Sequence, residues 1–310
     1  MTLRPELADF LQLRATSGLP EVWQATVETL RANIENRPNA SGTPEKIYEV
    51  EHRYIPGPTS ELPVRIYRPT KHAPLPALVF FHGGGWVLNS LDIYEQSLRS
   101  LANKGQFIVV AVNYQKSPEH PFPIPFDDCY ATLLWVAKNA EKLGIDPNSI
   151  GVGGDSAGGN LASAVALKAR DTQDLTLAFQ ALIYPCNDNE MNYESARTNG
   201  DGYGLSTRAM KWFWEQYLSK KSDAKNSYAV PTAAKDFANL VPAIVVTAEF
   251  DPLLDDGYIY AEAIRKGGNT VLYREYEGQI HGLFSLAGIT PQADELHQFL
   301  SDEINAILKR

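Results

Sequence analysis

The chain has 310 residues, 44% hydrophobic and 21% charged, an ordinary globular composition that excludes a disordered, collagenous or coiled-coil protein. A formal net charge of -9, with no basic cluster, argues against nucleic acid or anionic lipid as a partner. Glu6 and Asp9 interrupt the stretch where a signal peptide needs an apolar core, no apolar run approaches the roughly 20 residues of a membrane span, and Cys129 and Cys186 make neither a disulfide framework nor, alone, a zinc site. The expectation is a cytoplasmic protein with reduced thiols and no stable membrane association.

Residues 1–40 read as helical, with Trp23, Val27, Leu30 and Ile34 forming one apolar stripe. Gly18-Leu19-Pro20 divides the segment into two short helices, and residues 39–45 read as a loop. Tyr48, Val50, His52 and Tyr54, then Leu62, Val64 and Ile66, alternate on either side of Pro56-Gly57-Pro58, which predicts an antiparallel strand pair. From residue 77 the pattern changes. Short apolar runs at 77–81, 107–113, 150–153, 179–184, 243–248 and 270–276 are separated by helix-like stretches at 94–103, 126–143, 159–170 and 259–266. Such alternation predicts a mostly parallel sheet covered on both faces, closed by a last helix at 293–309. Residues 187–230 break it with polar and aromatic sequence around a helix at 206–218, and read as an insertion. The expected division is a core of 46–186 and 231–310, with 1–45 and 187–230 forming a two-part cap.

Three signals carry chemistry. Gly154-Asp155-Ser156-Ala157-Gly158 fits G-x-S-x-G between a short apolar run and a helix. In that context a sharp strand-to-helix turn lifts a serine hydroxyl clear of the sheet and places helix N–H groups near developing negative charge. His82-Gly83-Gly84-Gly85-Trp86 follows the 77–81 run, where glycines let the chain fold back and aim bare N–H groups at one point. Glu249-Phe250-Asp251 follows the 243–248 run, and Gly278-Gln279-Ile280-His281 follows the 270–276 run. The order Ser156, Asp251, His281 at strand ends is that of a hydrolase triad.

With these motifs together, the chain resembles the hormone-sensitive-lipase-like branch of the α/β-hydrolases. The resemblance rests on HGGGW at 82–86, Asn113-Tyr114 with Pro118-Glu119-His120-Pro121-Phe122-Pro123, GDSAGGN at 154–160, Tyr184-Pro185, DPLLDDG at 251–257 and His281-Gly282. It implies a mostly parallel eight-stranded sheet, helices on both faces and a helical cap. It implies a serine carboxylesterase acting on short- to medium-chain esters, with Ser156 as nucleophile, His281 as base and acid, and Asp251 as orienting acid. By the same analogy the N–H groups of Gly84, Gly85 and Ala157 form the oxyanion hole, and no metal or organic cofactor is required. The chain departs from the family at Tyr114-Gln115-Lys116-Ser117-Pro118-Glu119, where Tyr-Arg-Leu-Ala-Pro-Glu is frequent, and at Leu254 and Leu283, where Arg and Phe are frequent. Some relatives dimerise through the equivalents of the 270–276 strand and the last helix, though nothing in these residues demands a homodimer here. A receptor on the same fold and an amidase or lactonase with the same triad are the alternatives. Retention of Ser156, Asp251 and His281 together weighs against the receptor.

Other residues are weighed against bland roles. Asp255 and Asp256 begin a helix, His297 reads as a surface position on the last helix, and His52 and His72 as exposed. His82 and His120 read as loop-fixing, Asp155 as shaping the elbow, and both cysteines as structural. Met210, Phe213, Trp214 and Tyr217 form one helical stripe. Met210, Phe213 and Trp214, with Leu205, Trp86 and Leu88, are the candidate pocket residues.

Overall fold

The computed structural model describes residues 2–35 and 40–309. Residues 36–39, where the expected helical segment meets the expected 39–45 loop, lie outside the described residues. Helix α1 (Pro5–Ala15), a 3-10 turn (Val22–Gln24) and helix α2 (Val27–Glu35) open the chain. Gly18, at φ 69, makes the break. Trp23 therefore sits on the 3-10 turn rather than on the stripe of α2, whose Leu30 and Ile34 are buried. Strands β1 (Glu49–Pro56) and β2 (Glu61–Arg68) pair antiparallel. As the edge strand, β1 buries only Ile55 fully and leaves Tyr54 exposed.

The alternating part follows as β3 (Leu75–Phe81), α3 (Glu95–Gly105), β4 (Ile108–Val112), α4 (Ile124–Lys138), β5 (Ile145–Asp155), α5 (Ala157–Thr172) and β6 (Gln180–Ile183). Helices α6 (Glu194–Thr198) and α7 (Thr207–Tyr217) belong to the insertion. Ser206 caps α7 by accepting the Ala209 N–H at 3.1 Å. Strand β7 (Ala243–Phe250), α8 (Leu254–Lys266), β8 (Val271–Ile280) and α9 (Pro291–Leu308) complete the chain. Helix α4 stops at Lys138 rather than at residue 143, because Asn139 turns its side-chain amide back onto the Trp135 carbonyl at 2.8 Å. Ala140 and Leu143 remain buried from the turn beyond it.

Among the described residues eight strands form one sheet, in the order β1-β2-β4-β3-β5-β6-β7-β8. All neighbours from β4 through β8 run parallel; β1–β2 and β2–β4 are antiparallel. Alternation along β4 shows the two covered faces. Ile108, Val110 and Val112 belong to the apolar layer that also takes Leu133 of α4, Leu161 of α5 and Ile264 of α8. Val109 and Ala111 pack with Leu98 of α3 and Leu300 of α9. Among the described residues no helix is long and apolar enough to cross a membrane.

The first segment and the insertion meet above the carboxyl ends of the strands. Arg208 of α7 lies over the Trp23 ring at 4.4 Å. Leu7 of α1 packs on Ile280 and Leu286, and the Arg4 N–H donates to the Gly278 carbonyl at 3.2 Å. On α2, Arg31 donates to the Val87 and Ser117 carbonyls at 2.9 and 3.0 Å and pairs with Glu119.

One close approach governs the centre of the sheet. Gly158, in the first turn of α5, lies so near the end of β3 that an added methyl would overlap the Phe81 carbonyl oxygen. Backbone on both sides leaves nothing to yield. Gly158→Ala should therefore lower stability by about 1–3 kcal/mol, the usual cost of overpacking. Urea unfolding of the variant beside wild type measures it.

Candidate active site

Ser156 stands between β5 and α5 at φ 56 and ψ -120, a backbone conformation that a non-glycine residue holds only under constraint. Its N–H donates to the Ile183 carbonyl at 2.9 Å, and its own carbonyl accepts the Asn160 N–H at 3.0 Å. Gly154 and Gly158 approach one another and the Phe81 carbonyl, so the turn forms only where both lack a side chain. The hydroxyl is thereby presented at the head of the sheet.

Strands β7 and β8 are neighbours and end side by side, with Phe250 opposite Ile280. Asp251 and His281 follow these ends directly. His281 places Nδ1 2.7 Å from Asp251 Oδ2 and Nε2 2.9 Å from Ser156 Oγ. A buried carboxylate accepts, so Nδ1 carries the hydrogen and Nε2 is left to accept from the serine hydroxyl. Asp251 Oδ1 accepts the Leu253 N–H at 2.8 Å, which fixes the carboxylate plane. The Tyr184 ring lies 4.6 Å from the imidazole, and its hydroxyl accepts the Phe284 N–H at 3.0 Å.

The glycine loop after β3 is held from below. The Gly83 N–H donates to Asp155 Oδ1 at 2.8 Å and to the Tyr94 hydroxyl at 3.0 Å, and that hydroxyl donates to Asp155 Oδ2 at 3.0 Å. Asp155 therefore ties the glycine loop to the turn that carries Ser156. His82 is buried, its ring stacked on Tyr114 at 4.4 Å with Nδ1 2.8 Å from the Gly83 carbonyl. Burial pushes this imidazole down to about 3, so it stays neutral. Gly84 and Gly85 take φ values of 114 and 61. Among the described residues the N–H groups of Gly84, Gly85 and Ala157 find no protein acceptor.

Gly84 and Gly85 border a cavity of about 1220 Å³ whose wall also includes Ser156 and His281, while Ala157 lies buried behind it. Leu88, Leu205, Met210 and Phe213 are on the wall; Trp86 and Trp214 are not, which corrects the expectation for those two. Trp86 instead lies flat on Tyr217 at 4.3 Å and beside Trp214 at 4.5 Å. Ala209 and Phe213 occupy the cavity edge of the α7 stripe and Trp214 its far edge, so one helical face serves both purposes. Sequence reasoning missed Tyr94, Lys116 and the α1 residues Phe10, Leu13 and Arg14, all on this wall. The departure at Lys116 was the one available signal.

The rival residues fall elsewhere. Asp255 accepts the Ser195 N–H at 2.7 Å, and Asp256 accepts the Asn187 and Asp188 N–H groups at 2.8 and 3.1 Å, so both bind the insertion to the start of α8. His52 and His72 are exposed. His120 holds its loop through its backbone, accepting from Ser117 Oγ at 3.2 Å. The surface expectation for His297 is corrected: it is wholly buried, with Nε2 2.9 Å from the Phe284 carbonyl. It sits beside Leu296 on the face by which α9 packs inward, and burial pushes it down to about 4. Cys129 and Cys186 are free and buried. Among the described residues no group of three or more His, Cys, Asp or Glu could hold a metal ion.

Fold and geometry find close counterparts. A family model of the alpha/beta hydrolase fold matches residues 78–285. The chain belongs to this family, in its hormone-sensitive-lipase-like branch, and is a carboxylic ester hydrolase. It is 37% identical to the carboxylic ester hydrolase LipN of Mycobacterium tuberculosis over 83% of this chain and 71% of that protein. The structure of an ester-hydrolase from the metagenome of Lake Arreo, complexed with a bipyridine phosphonate derivative, superposes with a TM-score of 0.95 at 35% identity, covering 100% of both chains. A hyperthermophilic esterase from the archaeon Pyrobaculum calidifontis superposes with a TM-score of 0.93 at 37% identity, covering 99% of each chain.

The tie beneath the glycine loop has a measurable pH signature. Burial pushes the Asp155 carboxyl up to about 6 from 3.8, against the Gly83 and Tyr94 hydrogen bonds that favour its ionised form. A proton held more tightly in the fold than in the unfolded chain stabilises the fold fully below about pH 4, and that contribution is lost as the pH rises through about 6. Asp155→Asn removes the ionisation. The stability of the variant relative to wild type should therefore rise by about 2 kcal/mol between pH 4 and pH 8. Urea unfolding across that range measures it, and a pH-independent difference would contradict it.

Proposed function

We propose that this ester hydrolase acts on short- to medium-chain carboxylic esters through an acyl-serine intermediate. The observation that carries the reading is the unbroken relay from Asp251 through His281 to Ser156, at 2.7 and 2.9 Å. Ser156 Oγ attacks the ester carbonyl while His281 Nε2 takes its proton. Asp251 holds the imidazole orientation and stabilises the imidazolium. The free N–H groups of Gly84, Gly85 and Ala157 receive the oxyanion as the carbonyl becomes tetrahedral. His281 returns the proton to the leaving alcohol, then activates the water that releases the acid. Residues 1–45 and 187–230 act together as the cap, and the meeting of Trp23 with Arg208 supports that division. The two free, buried cysteines support a reducing compartment, the cytoplasm.

The limit on acyl length rests on Phe213, whose ring lies so close to Gly85 that a Cβ there would overlap it. A bulky ring against an oxyanion glycine closes the cavity near the reacting carbonyl. Hydrolysis of p-nitrophenyl esters from acetate to palmitate should peak at short to medium chains. Ser156→Ala should lose about 10⁴–10⁶-fold in kcat, and Asp251→Asn about 10⁴-fold. Phe213→Ala should move the optimum to longer acyl chains. A serine-directed phosphonate that still labels Ser156→Ala would overturn the mechanism, and an optimum at palmitate would overturn the size limit.

A further inference from the structure

The cavity that holds Ser156 and His281 also reaches Lys116. This side chain is partly buried, on the loop after β4. An ammonium has three hydrogens to donate. Lys116 Nζ gives one to Asn113 Oδ1 at 2.6 Å and one, at 3.4 Å, to the Tyr114 carbonyl, while lying 5.7 Å from the Tyr114 ring centre. All these partners are neutral, and the third hydrogen has none among the described residues.

Of the acidic groups in this wall, Glu119, Asp92 and Asp155 already have partners. Glu119 pairs directly with Arg31, so it offsets the lysine's charge only in part and makes no ion pair with it. Asp92 pairs with Arg65, and Asp155 is taken by Gly83 and Tyr94. Arg14, near the start of the chain, has Glu21 as its attractive neighbour. His82, whose imidazole feels the lysine's charge, is neutral. Desolvation lowers the Lys116 ammonium to about 8, helped by Arg31 and opposed by Glu119, so most of it is charged at neutral pH. A desolvated cation without a counter-ion is a costly thing to keep in a binding cavity.

We infer that Lys116 receives a carboxylate carried by the ester itself, making this an esterase for substrates that bear a free acid group in addition to the ester bond. The inference rests on the acyl-serine reading of Ser156 and adds the chemistry of the substrate's remote end. An incoming carboxylate takes the third ammonium hydrogen and supplies the missing counter-charge.

The test compares pairs of esters matched in size. On the acyl side these are the mono-p-nitrophenyl ester of glutaric acid and p-nitrophenyl hexanoate. On the alcohol side they are 4-acetoxybenzoate and 4-methylphenyl acetate. Wild type, Lys116→Met and Lys116→Arg are assayed at pH 7. In Lys116→Met the ratio of kcat/KM for the anionic ester to that for its neutral partner should fall about tenfold or more in at least one pair, the size expected of a charge-assisted hydrogen bond. Lys116→Arg should restore most of the ratio, and glutarate or 4-hydroxybenzoate should inhibit wild type more strongly than Lys116→Met. The pair that responds tells whether the acid lies on the acyl or the alcohol side. Equal ratios in wild type and Lys116→Met for both pairs overturn the inference. Turnover of the neutral esters by Ser156→Ala overturns instead the reading on which it rests.

Discussion

The structure turns on the contact between the start of α5 and the end of β3. Ser156 holds a conformation that costs about 1–3 kcal/mol where it is not forced, and the forcing comes from Gly154 and Gly158 pressed against the Phe81 carbonyl. Several consequences follow from that one approach. The hydroxyl rises above the sheet, and the Ala157 N–H stands at a helix start with no acceptor in the turn before it. The glycine loop, which leaves β3 directly after Phe81, is brought alongside. Asp155 then reaches the Gly83 N–H. Ser156 and the glycine N–H groups are thus positioned by the same few backbone atoms.

The outer parts of the chain are tied to this centre through the same loop. Trp86 leaves the glycine loop and stacks on Tyr217 of α7, while Arg31 of α2 donates to the carbonyl of the next residue, Val87. Helices α2 and α7 therefore both hold the residues that follow Gly84 and Gly85. The insertion is anchored a second time at Asp255 and Asp256, directly after the strand end that supplies Asp251. A wall residue such as Phe213 shares its helix with Trp214 and Tyr217, so the shape of the pocket and the placement of the glycine loop are mechanically linked. This is why the aromatic stripe of α7 is wider than a pocket roof needs.

The strands were legible because both sheet faces are covered, which demands unbroken apolar runs such as 107–113. The meeting of Ser156, Asp251 and His281 was legible for a related reason: in a parallel sheet, residues just past the carboxyl ends of the strands converge. Misreadings arose where a residue's surroundings come from distant sequence. His297 looks polar on an amphipathic helix, yet α9 packs against α3 through a face that includes it, and the Phe284 carbonyl supplies its partner. Trp86 follows an oxyanion-type loop, but its neighbours come from α7, more than a hundred residues on. Tyr94 carries no local mark, since its importance lies in meeting Asp155 and Gly83 across the fold. The helix ending at Lys138 rather than residue 143 shows the same limit on a smaller scale, because buried Ala140 and Leu143 continue the apolar pattern after the helix has stopped.

Charge separates the cavity from the surface around it. The chain carries -9 overall, so a negatively charged ester meets repulsion at long range. That repulsion is weakened by salt over about 10 Å. The field of Lys116 acts under different conditions, close to the ligand and among desolvated groups, where an unmatched charge counts for more than in water. The pairing of Glu119 with Arg31 leaves that charge without an ion pair of its own. An acidic exterior and a cationic point inside the site are therefore compatible. The first slows encounter, and the second decides which bound ester is held once water has been displaced.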